Sequence, residues 1–204
     1  MSQYYSQFGA DKYLDEKYFH GRGGGFYVDI GAHDGVSGST TYFFEQLGWQ
    51  GICFEPMPKA FLMLSQNRSC IKVEKAIADF EGDTAFLDIS GYSEQLSGLV
   101  MNYSQEHISR IHKEVKEHNQ KTNTIAVKCG LFNKEVPYKH IDILSVDTEG
   151  SEASIIKSID FNNYNIKFII AEFNYGDRDL VNYLNSRGYE IETQLGVDII
   201  FKHI

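Results

Sequence analysis

Short apolar runs, each closed by an acid, alternate along this chain with stretches whose apolar positions recur at helical spacing. VDIGAHDG (residues 28–35) opens on the first run, WQGICFEP (49–56) ends its run in Glu55, IDILSVDTEGSE (141–152) ends in Asp147, and Ile166 to Ala171 ends in Glu172. Runs this short and this continuous are what strands buried on both faces of a parallel sheet look like. Between the first two, Ser39 to Leu47 spaces Tyr42, Phe43, Phe44 and Leu47 for a crossover helix. After Pro56 a helix to about Asn67 turns Phe61, Leu62 and Leu64 inward, and Asp177 to Arg187 puts Leu180, Val181 and Leu184 on one face with Gly188 as its stop. Ile71 to Ala78 predicts a third strand, Thr84 to Ile89 a strand with one solvated face, and Thr124 to Lys128 another. The second half of Tyr92 to Lys121 is polar and helical. Tyr189 to Leu195 and Val197 to Lys202 predict two strands about a turn at Leu195-Gly196. Strands alternating with helices and closing in a hairpin predict a three-layer α/β Rossmann-like fold, its sheet mostly parallel with an antiparallel C-terminal hairpin edge.

Composition narrows the function classes. At 204 residues the chain is expected to be one domain, 1–204, with residues 1–25 a helical lead-in (stripe Tyr13, Leu14, Tyr18, Phe19) ending in a glycine linker, Gly21 to Gly25; a piece of a larger enzyme is the alternative. A net charge of −9 argues against nucleic acid as a partner. No apolar run approaches about 18 residues and the N-terminus is polar, so neither a membrane span nor a signal peptide is expected. Three cysteines, Cys53, Cys70 and Cys129, lack metal-type spacing; Cys53 reads as a small buried hydrophobe, and a reducing, cytoplasmic setting follows. His107, His112 and His118 lie among lysines and glutamates on the polar helix, as solvated residues rather than ligands.

The candidate chemistry sits where the strands end. Gly31 and Gly35 allow a tight turn and a close backbone approach after the first strand, and Asp29 puts a carboxylate at the foot of that loop. Glu55, 26 residues beyond Asp29, ends the second strand where an acid accepts both ribose hydroxyls of a nucleotide cofactor. The first loop has an acid inside it, Gly31-Ala32-His33-Asp34-Gly35, in place of G-x-G-x-x-G, which favours a cationic cofactor over the pyrophosphate of a nicotinamide enzyme. Asp147, Glu172 and His33 are the candidate catalytic groups, with Asp147 first as a base. Asp147, Glu172 and Asn174 would offer an oxygen-rich site for Mg²⁺ or Mn²⁺. Glu149 reads equally as a site residue or as an acid capping the next helix, and Glu152 rather as a cap.

FYVDIGAHDGVSGSTTYFFEQLGWQGICFEPMP, the AIAD segment at Ala76 to Asp79, DILSVDTEGSE and the closing AEFNY with its hairpin resemble a class I S-adenosylmethionine-dependent methyltransferase, more narrowly the FkbM family. The SQFGADKYL opening is similar to the family's lead-in, whereas His33 stands where many members carry Asn. The resemblance implies S-adenosylmethionine held by Asp29, Gly31, Ala32, His33 and Gly35 at its methionine end, by Glu55 and Pro56 at the ribose, and by Ile77 and Ala78 at the adenine, with Asp147 alongside. It also implies O-methylation of a sugar or glycan, a deoxysugar such as rhamnose or fucose among them. The competing readings are an NAD-dependent oxidoreductase and a non-catalytic cofactor-binding or interaction module with the same fold.

Overall fold

The computed structural model describes residues 3–173 and 178–204. Its centre is β1 (Phe26–Ile30), flanked on one side by β2 (Gln50–Phe54) and on the other by β8 (His140–Val146), both parallel to it. Beyond β2 lies β3 (Ile71–Val73); beyond β8 lie β9 (Asn165–Glu172), β11 (Asp198–His203) and β10 (Tyr189–Leu195). Strand order therefore runs outward in both directions from the β1–β8 pair, and a crevice must open at the carboxyl ends of those two strands. The C-terminal hairpin folds back so that β11 is the antiparallel strand, wedged between β9 and the edge strand β10.

Alternation across the sheet sorts the core into two layers. Val28, Ile30, Phe54, Leu144, Val146 and Ile169 meet Ile155 and Ile156 of α6 (Glu152–Ser158) and Leu180 and Leu184 of α7 (Arg178–Ser186). The expected start of α7 at Asp177 lies outside the described residues. Tyr27, Cys53, Ile143, Phe168 and Ile200 face the other way, onto Leu14 of α1 (Ala10–Leu14), Phe19 in the π-helical turn that continues it, Phe43 and Phe44 of α2 (Tyr42–Gln46), and Leu64 of α3 (Pro58–Asn67). Fully burying one such side chain contributes about 1.5–3 kcal/mol, so these two layers carry most of the driving force.

The third strand is not the single element that the apolar run predicted. It breaks at Glu74-Lys75, where the Lys75 N–H bonds the Val73 carbonyl at 3.0 Å and the Lys75 ammonium reaches Glu135 at 2.6 Å. Ile71–Val73 stays in the main sheet, while Ala76–Ala78 becomes β4 of a second, four-stranded sheet with β7 (Lys121–Leu131), β5 (Gly82–Ser90) and β6 (Gly98–Leu99). The expected Thr84–Ile89 and Thr124–Lys128 strands are the middles of β5 and β7. Pairing from Gly82↔Cys129 to Ser90↔Lys121 carries both past the apolar stretch. The polar helix α4 (Gln105–Glu117) covers this sheet through Ile111, next to Ile89 and Leu96. The helix expected over Ser39–Leu47 is only α2, because Ser39 and Thr41 use their hydroxyls on other loop groups.

One buried cation ties the first strand–loop–helix unit together. Arg68, just past α3 and fully enclosed, donates from Nε to Glu45 Oε2 at 2.7 Å, from Nη1 to the Gly35 carbonyl at 2.8 Å and Ser39 Oγ at 3.3 Å, and from Nη2 to Thr41 Oγ1 at 2.9 Å. Its Nη1 also lies 3.9 Å from Asp29 Oδ2, and its guanidinium sits over the Tyr27 and Tyr42 rings. Burial alone would raise the Glu45 carboxyl. Hydrogen bonds from Tyr27, the Ser69 N–H and Arg68 outweigh it and hold that group at about 2. Removing one partner of a buried pair strands the other, at a cost of about 3–5 kcal/mol. Arg68→Ala is therefore expected to lose stability on that scale in urea titration; a loss below about 1 kcal/mol would show that the network is incidental.

Candidate active site

The loops after β1 and β8 touch, and that contact shapes the crevice. The Asp147 N–H donates to the Ile30 carbonyl at 3.0 Å, and a Cβ on Gly31 (φ 85°) would fall 1.7 Å from the Asp147 carbonyl oxygen. Only glycine fits there. Gly35 (φ 82°) is required for a different reason, since a Cβ would meet Leu64 and Arg68 at 2.6 Å. Both close approaches are to protein, so the glycines build the loop rather than admit a ligand to its backbone. Gly35 does not line the crevice.

Inside the crevice, Glu55 stands at the end of β2, 5 % exposed. Its Oε2 accepts the His33 N–H at 2.9 Å and its Oε1 the Met57 N–H at 2.8 Å. Burial dominates over those bonds and pushes the carboxyl up to about 7. Each oxygen has a second lone pair, so a carboxylate fixed this way still accepts from a vicinal diol. Pro56, Ala76 and Ile77 continue the wall beside Phe86 and Leu99 of the second sheet; Ala78 faces away. The chain's turn at Glu74-Lys75 is what brings Ile77 here.

Asp29 lines the crevice foot, but its carboxylate is committed: Oδ2 accepts from Thr41 Oγ1 at 2.5 Å and Ser39 Oγ at 3.5 Å, with Arg68 beyond. Asp34 turns inward, accepting the Val36 and Ser37 N–H groups at 2.8 Å and the Ser37 hydroxyl at 2.6 Å. The acid inside the loop is thus a turn residue, and the inference from it to a cationic ligand does not stand on Asp34. His33 adopts φ 48° and carries its ring into the crevice, Nε2 3.8 Å from Glu94 Oε1, with neither ring nitrogen hydrogen-bonded. Ala32 lines the same wall.

Across from Glu55 the floor is acidic. Asp147 is open to the crevice yet closely surrounded by protein. Burial first, then the Glu172, Glu149 and Glu152 carboxylates, raise its pKa well above the ordinary range. One oxygen from each of Asp147, Glu152 and Glu172 falls within 4.8 Å of the others. Carboxylates this close require a shared proton or a cation. Glu152, expected as a cap, opens α6 but bonds the loop before it: it accepts from the Thr148 N–H at 2.7 Å, the Thr148 hydroxyl at 2.8 Å and the Gly150 N–H at 3.0 Å. Glu152 thus supplies the third carboxylate beside Asp147 and Glu172, while the expected third ligand, Asn174, lies outside the described residues. Glu149 (φ 56°) lines the crevice instead of capping the helix; its Oε2 accepts no hydrogen bond and lies 3.8 Å from His107 Nδ1. Burial and then Glu172 raise Glu149 to about 8, and burial lowers His107. His107, expected to be solvated, is buried under Tyr103, its ring centroid 4.6 Å away.

Several other wall residues have no local sequence signal: Gln7 and Phe8 from the lead-in, Glu94 and Gln95 from the β5–β6 connection, and Val197 and Asp198 from the hairpin. Phe8 packs on Gly196, where a Cβ would lie 2.4 Å from its ring. Only a lone Phe in a polar stretch hinted at this.

These acids make the fold's stability depend on pH in a definite direction. Glu55 (about 7), Glu149 (about 8), Asp198 (about 6), Asp147 and Asp29 all hold their protons more tightly when folded than when unfolded. The folded state then binds more protons between about pH 4.5 and 8, and its stability falls as pH rises through that window. His107, lowered by burial beside Glu149, acts oppositely. The ligand-free melting temperature is expected to fall from pH 5.5 to 8, and Glu149→Gln to flatten the slope; a melting temperature that rises with pH would refute the assignment.

Comparison with known proteins agrees with this geometry. Residues 29–191 match the family described as the methyltransferase FkbM domain. Among solved structures, the chain is similar to an FkbM methyltransferase from Methylobacillus flagellatus KT (TM-score 0.53, 11 % identity, covering 87 % of this chain and 43 % of that one). It is also similar to a TehB-like SAM-dependent methyltransferase from Corynebacterium glutamicum ATCC 13032 Kitasato (TM-score 0.50, 10 % identity, 98 % and 89 %). This chain thus spans less than half of the first. No curated protein sequence matches it. Among the described residues no helix is long and apolar enough to cross a membrane. The family match covers both cleft loops and four fifths of the chain, so the chain belongs to the FkbM methyltransferase family, whose fold implies S-adenosylmethionine as methyl donor.

Proposed function

We propose that this protein transfers a methyl group to a hydroxyl of a sugar or glycan in a reducing, cytoplasmic setting. The observation that carries the reading is Asp147, a strongly proton-binding carboxylate open to the crevice on the floor opposite Glu55. Charge in the crevice supports the acceptor class. Asp29, Glu55, Glu94, Asp147, Glu149, Glu172 and Asp198 line it, against a single lysine, Lys75, which is itself paired with Glu135. A phosphate, sulfate or uronate would meet repulsion there, whereas a neutral or amino-bearing polyol donates hydrogen bonds to carboxylates. Phe86, Leu99 and Phe8 supply apolar faces.

Glu55 would hold the two ribose hydroxyls, Ile77 and Phe86 would line the adenine end, and Ala32 and His33 the methionine end. When bound, the sulfonium supplies an electrophilic methyl group displaced in line. The protein's part is positioning and removal of a proton. A carboxylate oxygen of Asp147 takes the acceptor's hydroxyl proton, and the neighbouring Glu172 and Glu149 carboxylates strengthen it as a base by disfavouring its charged form. A divalent ion on Asp147 and Glu172 is a second form of this reading, favoured by the three oxygens within 4.8 Å.

Glu55→Ala should weaken S-adenosylhomocysteine binding by about 1.5–3 kcal/mol per lost charge-assisted bond in calorimetry; unchanged affinity would rule out the ribose assignment. Turnover on a panel of neutral sugars, amino sugars, phenols, RNA and protein tests the acceptor, with methyl ethers on sugars alone expected. Asp147→Asn should lower that turnover at least about 10²-fold while cofactor affinity changes far less. An active Asp147→Asn would move the base to His33. Loss on chelation with recovery in Mn²⁺ or Mg²⁺ would select the metal form. Cofactor binding without turnover on any acceptor would leave a non-catalytic module.

A further inference from the structure

Outside the crevice, two thiols face each other across the sheet. Cys53, buried in β2, and Cys70, the half-buried residue before β3, have their sulfurs 3.4 Å apart. In the parallel register Cys53 lies opposite Lys72, so Cys70 is its diagonal neighbour. Cys129, the remaining cysteine, is buried in the second sheet's core.

We propose that Cys53 and Cys70 form an oxidation site that a hydroperoxide closes into a disulfide, and that the cross-link acts on the glycine loop through Arg68. The sulfurs are already in contact and need to approach by roughly 1.4 Å to reach the S–S bond length of about 2.05 Å. Cys70 is the partner free to move, because it precedes a three-residue edge strand, whereas Cys53 sits inside the main sheet. Roles divide by environment. A hydrogen bond from Cys53, then Tyr27 and Arg68, lower the Cys70 thiol, while Cys53 is raised. The thiolate is the nucleophile, so Cys70 attacks first. Its sulfur takes the terminal oxygen of the hydroperoxide as the O–O bond breaks; the alkoxide or hydroxide released picks up a proton, leaving a sulfenic acid. Cys53 sulfur then displaces that hydroxyl as water, its own proton going to the departing oxygen. Two thiols are oxidised by two electrons and one hydroperoxide is reduced.

Arg68 lies two residues before Cys70 and bonds Gly35 O, Ser39 Oγ and Thr41 Oγ1. Drawing Cys70 toward β2 pulls on the segment that fixes these contacts, and the loop over residues 31–41 responds.

The folded protein, treated with hydrogen peroxide, alkylated and digested without reductant, should yield one peptide pair linked through Cys53 and Cys70. Cys129 should remain alkylatable, and dithiothreitol should restore both thiols. Cys129→Ser should still cross-link. Cys53→Ala should not, and Cys70→Ser gives the same readout at a more exposed position. Amide hydrogen exchange over residues 31–41 should change several-fold on oxidation and revert on reduction. Oxygen adducts on Cys70 without a cross-link would overturn the site. A cross-link that leaves loop exchange unchanged would overturn the coupling. Neither readout requires the protein to be a sugar methyltransferase.

Discussion

Everything in the first half of this chain leans on the enclosed guanidinium of Arg68. A buried cation of this kind is costly to desolvate, and the fold accommodates it by surrounding it with two carboxylates, two hydroxyls, a carbonyl and two aromatic faces. The polar partners come from three successive elements: Asp29 from β1, Gly35 and Ser39 from the loop, Thr41 and Glu45 from the entry and body of α2. A flat guanidinium satisfies all of them at once because its donors diverge in a plane. The loop's shape is thus fixed from beneath, and Gly35 is glycine because Arg68 fills the space where its side chain would be. Hydrophobic burial would hold β1 against β2 without this network. It would not fix the conformation of the eleven residues between β1 and α2.

The second constraint is steric. With strand order running outward from β1 and β8, two loops compete for the same volume, and the absence of a Cβ at Gly31 resolves the conflict. The result brings Asp147 to the crevice floor with Glu149 and Glu152 immediately after it. His33 and Glu149, one in each loop, both take left-handed backbone conformations that non-glycine residues adopt at a cost. Strain and like-charge repulsion are concentrated in the two loops that form the site, while the strands beneath them are regular and apolar.

What could be read in the sequence follows from this division. Strands β1, β2, β8 and β9 are continuous apolar runs closed by acids, and the C-terminal hairpin alternates, so period and punctuation reveal them. Glu55, Asp147 and Glu172 are legible as crevice-lining residues because each ends such a run. The break at Glu74-Lys75 was hidden, since Ile71 to Ala78 is apolar on both sides of one charged pair. What splits it is a backbone bond and the distant Glu135. The second sheet escaped notice because β5 and β7 are half-exposed, and their long ladder is set by each other rather than by local pattern. Nothing local marks Arg68, because its partners lie between Tyr27 and Glu45, far back in the sequence, and the same holds for His107 and for the Phe8–Gly196 contact. Asp34 departs from its reading for the opposite reason: its carboxylate bonds only its near neighbours Val36 and Ser37, and a turn explains it.

The crevice's acids also explain why its walls come from so many parts of the chain. Seven acidic residues around one cavity oppose folding when charged, and the apolar layers on either face of the main sheet must outweigh them. In the empty crevice Glu55, Asp147, Glu149 and Asp198 relieve the mutual repulsion by holding protons. A positively charged ligand relieves it differently, by replacing those protons, so its binding and proton release are linked quantities. A neutral ligand gains no such advantage, and an anionic one meets repulsion from the same carboxylates. A basic cleft on this same sheet would reverse both preferences. Chemistry here is decided by what the loops carry, on a frame whose own residues are indifferent to it.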